Sequence, residues 1–314
     1  MPYHPRIEHP KLATLCTIRS RNAQLWFVNN HALEQSILGY LARYVTRYQT
    51  TIYAFGIEGN HVHTLAHYAL GTQSRFHRDL NSSIARAIPR FVKEYDGGRF
   101  WARRYSSEFV PDYSDIEEYF FYIVLQPVKD GLVDSIFEYP GYNCFIDAIH
   151  ETTRLYQVID WQKYHDQKRF NRPLTPQDFI ENVELKFSRL PGYEHMSQKN
   201  YRAMMLKKLR ERTNLLLSKR NGRPAAGLLK IKQTVPGSKP INSKKSTRFS
   251  HRPRILAVNK GRRVKWYAWY FSTYFQYREA SLEFRQGNLL VEFPPGTHRP
   301  PSFTAQLNEF RFKQ

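Results

Sequence analysis

The chain has 314 residues, 41% of them apolar and 15% aromatic, with a formal net charge of +21 and a pI near 9.9. That apolar fraction is enough for a core, but no apolar run reaches the roughly eighteen residues of a membrane span, and Met1–Lys11 lacks the apolar centre of a signal peptide. So basic a chain points to a polyanion, nucleic acid first and a membrane surface second; the two cysteines, Cys16 and Cys144, make neither a zinc ribbon nor a disulfide framework, so a reducing, cytoplasmic setting is expected.

In chain order, Leu12 to Phe27 reads as a strand, a basic turn at Arg19, Arg21 and Asn22, and a short strand. His31 to Tyr48 reads as a helix, because Leu33, Ile37, Leu38, Leu41, Tyr44, Val45 and Tyr48 recur at three- and four-residue spacing. Thr50 to Ile57 and Asn60 to Tyr68 are two strands joined by a turn at Glu58-Gly59-Asn60. Ser74 to Tyr95 is a second helix, interrupted near Pro89 and ended by Gly97-Gly98, and Arg99 to Val110 is extended. Ser114 opens a third helix in which Ser114 and Glu117 form a capping box, with Pro127 near its end. Strand, helix, strand, strand, helix, strand, helix is the order of an α+β layer fold, an antiparallel sheet covered by helices.

The composition changes after about residue 150. Between Lys199 and Lys265 about twenty Lys and Arg stand against one acid, Glu211. The expected organisation is a catalytic domain at 1–150, a connecting segment at 151–198 and a basic C-terminal nucleic-acid-binding region at 199–314. Within the last, Gln198 to Lys219 reads as a basic helix and Pro236 to Arg254 as a linker or arm. Val264 to Tyr277 is rich in Trp and Tyr, and Ser281 to Arg285 with Leu289 to Phe293 reads as a hairpin turning near Gly287-Asn288.

Two places carry chemistry. In Asn60-His61-Val62-His63 the two imidazoles project from the same face of a strand, where they can share a divalent metal or simply sit exposed. Tyr122 and Gln126, four apart on the third helix, share a face. A metal-dependent strand-cutting enzyme needs a nucleophile and a third protein ligand; Tyr122 and the Gln126 amide oxygen can supply them, and Tyr122 can equally be a core aromatic like Tyr119, Phe120 and Phe121 beside it. His67 continues the strand face of His63, with packing the alternative to metal binding. Arg19, Arg21, Arg103 and Arg104, and the pairs Lys207-Lys208, Lys244-Lys245 and Arg262-Arg263, are candidate phosphate contacts or solvated charge. Trp266, Tyr267, Trp269 and Tyr270 can stack on unpaired bases or form the core of a small β domain.

Tyr53-Ala54-Phe55-Gly56-Ile57-Glu58-Gly59-Asn60-His61-Val62-His63 resembles the HUH segment of the single-tyrosine transposases. Tyr122-Ile-Val-Leu-Gln126-Pro127-Val128-Lys129-Asp130-Gly131-Leu132-Val133 resembles their tyrosine helix, and Phe100-Trp101-Ala102-Arg103-Arg104-Tyr105 and Leu15 to Phe27 resemble two further segments, in matching order. The resemblance is greatest to the REP-associated tyrosine transposases, relatives of insertion-sequence transposases that act on single strands. It departs from the usual pattern at Gln126, where Asn is frequent, and at Gly59, where Pro is usual and whose replacement should loosen the turn. The resemblance implies a ferredoxin-like HUH core, a Mg²⁺ or Mn²⁺ ion at His61, His63 and Gln126, and a 5′-phosphotyrosine intermediate at Tyr122. It implies a substrate of single-stranded DNA with hairpins, a monomer or homodimer, and a nucleoid-associated, cytoplasmic protein. Two other classes remain at this point: a replication initiator or relaxase, disfavoured because relaxases carry the tyrosine before the His pair, and a non-catalytic DNA- or RNA-binding regulator on a relic of the fold.

Overall fold

The computed structural model describes residues 5–69, 71–170, 173–240 and 254–300. The elements follow as β1 (Ala13–Arg19), α1 (His31–Arg47), β2 (Thr51–Glu58), β3 (His61–His67), α2 (Gln73–Phe91), β4 (Ser106–Val110), α3 (Tyr113–Val124), α4 (Gln126–Lys129), α5 (Phe145–His150), β5 (Thr153–Ile159), α6 (Trp161–Lys168), β6 (Ile180–Lys186), α7 (Gln198–Ser218), α8 (Gly227–Lys232), β7 (Arg254–Ile255) and α9 (Lys260–Arg285).

The expected α+β fold is present. One sheet has the order β2-β3-β1-β4-β7; its first four strands are antiparallel, and β7 joins the edge parallel to β4. With the order β1-α1-β2-β3-α2-β4, this is the split β-α-β arrangement of ferredoxin-like domains. The expected basic turn is a 3-10 turn at Arg21–Ala23, where Asn22 takes a left-handed φ of 57°, and the short strand expected after it, up to Phe27, is coil. Helix α1 starts where Asn30 accepts the amide of Leu33 at 2.9 Å and buries Leu33, Ile37, Leu38 and Leu41 on one face.

The β5–β6 hairpin closes over α1. Gly39 allows this, since a Cβ there would meet Val158 at 2.6 Å. The main apolar core runs on past residue 150, through Val158, Leu185, Phe187 and Leu190 to Tyr201, Met205 and Leu209 of α7. A smaller cluster of Ile7, Leu12, Phe109, Ile255, Ala257 and Tyr270 seats α9 beside the β4 edge.

Two local expectations give way. Helix α3 is capped by Asp112, which accepts the amide of Ser114 at 3.2 Å, and Glu117 pairs with Lys208 of α7 instead of closing a capping box. The hairpin expected over 281–293 is the last turns of α9 followed by coil: Ala280, Ser281 and Phe284 are buried and Leu282 is exposed, the spacing of a helix face and not of a strand. The arm expected over Pro236 to Arg254 falls mostly outside the described residues, and Lys244 and Lys245 lie wholly outside them. Among the described residues no helix is long and apolar enough to cross a membrane.

Candidate functional site

Strand register builds the floor of the site. Thr17 pairs with His63, Arg19 with His61, Gly56 with His63 and Glu58 with His61, and directly opposed residues share a face. His61, His63, Thr17, Arg19 and Glu58 therefore line one side, while Val62 is buried on the other. The two imidazole rings lie 4.7 Å apart at 87°. His67 continues the same face, but roughly 13 Å further along the strand, too far to join the pair.

Hydrogen bonds orient both rings. The Asn60 amide nitrogen donates to the Ala23 carbonyl at 2.8 Å, so its oxygen faces His61 Nδ1, also at 2.8 Å. His61 Nδ1 therefore carries the proton and Nε2 presents a lone pair. His63 Nδ1 bonds Thr17 Oγ1 at 2.8 Å, and His63 Nε2 is buried without a partner. Burial pushes the His63 imidazolium down to about 3, helped by Arg19 and Lys129. Burial, the neighbouring His63 and Arg19 together hold His61 well below its ordinary value. Both rings are thus neutral at physiological pH, the form that ligates a metal.

Helix α3 brings Tyr122 over this floor. Gly56 allows the approach, because a Cβ there would meet Ile123 at 2.8 Å. The Tyr122 and His63 ring centroids are 5.7 Å apart, and the Lys129 ammonium lies 4.2 Å from the centroid of the Tyr122 ring. Burial raises the Tyr122 phenol above its usual 10, so it is protonated at rest. Gln126 is not on the tyrosine helix. Helix α3 ends at Leu125 (φ −91°, ψ 6°) and Gln126 starts α4, its side chain buried and its amide nitrogen without a partner. Beside the pair, burial and Asp130 lift the Glu58 carboxyl to about 8.

Gly59 does not loosen the hairpin. Its carbonyl accepts the amide of Phe27 at 3.0 Å, and a Cβ on it would press on Leu25 at 2.8 Å, so the β1–α1 loop is packed onto the turn. Thr17, Asn60 and Lys129 are the site residues that the sequence reading did not single out. Lys129 and Asn60 stand inside the quoted motifs, whereas Thr17 is recognisable only once the register is known.

The candidate phosphate contacts fall into two groups. Arg19, Arg21, Arg103, Arg104, Lys207 and Arg263 are exposed. Lys208 and Arg262 are turned inward. Lys208 holds Glu117 at 2.7 Å and Tyr193 at 2.8 Å; Arg262 holds Asp112 at 3.0 Å and the fully buried Asp115 at 3.0 Å. Arg212 adds a contact to Glu118 at 2.5 Å. Arg220 clasps the turn after Gln126, donating to the carbonyls of Val128 and Val133 and pairing with Asp134.

The site is thus an antiparallel sheet that presents two neutral histidines beneath a tyrosine. Residues 15–126 match the model of the family described as Transposase IS200 like, a segment that runs from β1 to Gln126 and contains His61, His63 and Tyr122. The resemblance read from the sequence is borne out by that match. Among solved structures, a REP-associated tyrosine transposase bound to a REP hairpin superposes with a TM-score of 0.39 at 17% identity, over 45% of this chain and 81% of that one. The tRNA(His) guanylyltransferase of Saccharomyces cerevisiae superposes with a TM-score of 0.31 at 11% identity, over 70% of this chain and 82% of that one. No curated protein matches the chain.

Proposed function

We propose that the protein is a metal-dependent endonuclease and strand transferase of the transposase type, cutting single-stranded DNA near hairpins with Tyr122 as nucleophile. The observation that carries this reading is the buried, partnerless Nε2 of His63, on a neutral ring 5.7 Å from the ring of Tyr122.

The donor set fits a divalent cation such as Mg²⁺ or Mn²⁺. Among the described residues no group of three His, Cys, Asp or Glu side chains is placed to hold one, and the side-chain amide of Gln126 is the third protein donor we assign. The His61 and His63 Nε2 atoms and the Gln126 oxygen would hold the ion; the free Gln126 amide leaves its orientation open to that role. When bound, the ion would withdraw charge from the scissile phosphate.

The chain's own residues do the rest. Tyr122 Oη attacks phosphorus, the Oη–P bond forms, the P–O3′ bond breaks, and O3′ leaves as a hydroxyl after taking up a proton. The phenol starts protonated and gives up its proton as it attacks. Lys129 is placed to offset the negative charge that gathers there. The phosphotyrosine keeps the energy of the phosphodiester, so attack by another 3′-hydroxyl rejoins strands without ATP. Asn60 keeps His61 in the ligating tautomer, and Thr17 holds the His63 ring in orientation.

The test is incubation with labelled single-stranded hairpin DNA and Mg²⁺ or Mn²⁺, read as a protein–DNA adduct on a denaturing gel. A metal-dependent adduct is expected from the wild type and none from Tyr122→Phe or His63→Ala. An adduct that survives Tyr122→Phe would move the nucleophile elsewhere, with Tyr119, whose ring lies 6.0 Å from that of Tyr122, the next candidate. Binding of every hairpin offered, with no adduct from any, would favour a non-catalytic nucleic-acid-binding regulator.

A further inference from the structure

Helix α9 has two unlike aromatic sides. Tyr270 is buried, and Trp266 and Trp269 pack edge-on around His9, with ring centroids 5.3 and 4.8 Å from its own. These rings fix the helix to the body of the protein. Tyr267, Phe271 and Phe275 recur every fourth residue and so lie in one row; Tyr267 and Phe271 are half-buried at the margin of the same cluster, and Phe275 is exposed. Tyr267 and Phe271 are stacked, with centroids 6.2 Å apart and planes 18° off parallel; Phe271 and Phe275 follow at 6.5 Å and 34°. The row is most open at its far end, where Phe275 is 51% exposed.

We propose that this face of α9 is a stacking surface for the unpaired bases of single-stranded DNA, an inference that rests on the strand-processing reading given above. Charge selects the occupant. Over α9, from 260 to 285, the chain holds six Arg or Lys and two Glu, Glu279 standing one turn beyond Phe275 on the ladder's face, and the exposed Arg263 and Arg278 flank the ladder on its own side of the helix. A second copy docking through the same face would bring these cations together. A nucleic-acid strand would instead neutralise them while its bases cover the rings, and aromatic platforms beside cations are how proteins hold single strands without reading their sequence. Arg262 joins the start of α9 to Asp115 of α3. The ladder therefore begins within two helical turns of a contact with the tyrosine helix, on the part of the chain that follows the matched family segment.

The test compares the affinity of the full-length protein for oligothymidylate and for an abasic strand of the same length and charge. Wild type is expected to prefer the strand with bases by about tenfold or more. Phe271→Leu/Phe275→Leu keeps apolar bulk and removes the π faces; it is expected to lose most of that preference while its dependence on salt is unchanged. Tyr122→Phe is expected to retain the preference, so failure of the nuclease reading, seen as no adduct, is distinguishable from failure of this one. The inference is overturned if wild type binds both strands equally, or if the double variant keeps the preference with an unchanged melting temperature. It is also overturned if sedimentation shows the double variant turning a dimer into a monomer without altering the preference, which would assign the face to a second copy.

Discussion

Helix α7 turns Lys208 and Arg212 inward onto Glu117 and Glu118 of the tyrosine helix, and Arg220, just beyond its end, onto the backbone that follows Gln126. Helix α9 turns Arg262 inward onto Asp112 and Asp115 and carries Arg263, Lys265 and Arg278 at exposed positions. In sequence the two segments look alike, each dense in cations and poor in acids. The difference is in what the opposing element offers. Helix α3 presents three acids along its first turns, Glu117 and Glu118 towards α7 and Asp115 towards the start of α9, so part of the basic charge that suggests a polyanion is neutralised within the protein and braces Tyr122. What remains for a nucleic acid is the outward share.

Removing an inward cation should therefore damage the fold, and removing an outward one should not. The largest loss is expected for Arg262→Ala, which leaves fully buried Asp115, among the described residues, with the Val258 amide at 2.7 Å as its hydrogen-bond donor. Stranding a buried charge costs about 3 kcal/mol or more, and urea unfolding would show it. Arg220→Ala comes next, at about 1–3 kcal/mol, because the buried Val133 carbonyl loses its donor while the Val128 carbonyl keeps the Gly131 amide at 3.1 Å. The same variant should bind Mn²⁺ more weakly than wild type by calorimetry, since the turn it releases follows Gln126. Unchanged Mn²⁺ affinity in a destabilised Arg220→Ala protein would reduce the brace to a purely structural one. Lys208→Ala should cost about 1–2 kcal/mol: Glu117 keeps Arg212 at 3.6 Å, and Lys208 is itself partly exposed, so water screens part of the pair.

Much of this frame was legible in the sequence. The strand, helix, strand, strand, helix, strand order, the shared face of His61 and His63, and the basic helix after Gln198 all follow from local periodicity. The parts that were not legible depend on what meets across the fold. Thr17 orients His63 only because β1 and β3 pair in one register and not in the next. Gly59 looked like a loosened turn and is instead the floor on which Leu25 rests. Gln126 looked like a continuation of the tyrosine helix, since Tyr122 and Gln126 have helical spacing, but the chain turns at Leu125 and starts a new one. The end of α9 alternates apolar and polar residues in a way that reads as strand, until burial of Ala280, Ser281 and Phe284 along one side makes it a helix. Lys207 and Lys208 are neighbours in sequence and cannot be told apart there; on a helix they point about 100° apart, one to solvent and one to Glu117.

That pair is the sharpest form of the comparison. Lys207→Ala removes an exposed ammonium, so stability should stay within about 0.5 kcal/mol of wild type. If Lys207 contacts a phosphate, the slope of log affinity for single-stranded DNA against log salt should fall by about one unit, with the same drop for any base sequence. Lys208→Ala should show the reverse, an earlier unfolding midpoint and an unchanged salt slope. An unchanged slope in both variants would mean that DNA does not pass along α7 at all and that the outward charge used for binding lies elsewhere, with α9 the first place to look. A reduced slope in Lys208→Ala alone would mean that the Glu117 pair opens when DNA binds, which would make the contact between α7 and the tyrosine helix a joint that moves during the reaction cycle and not a fixed brace.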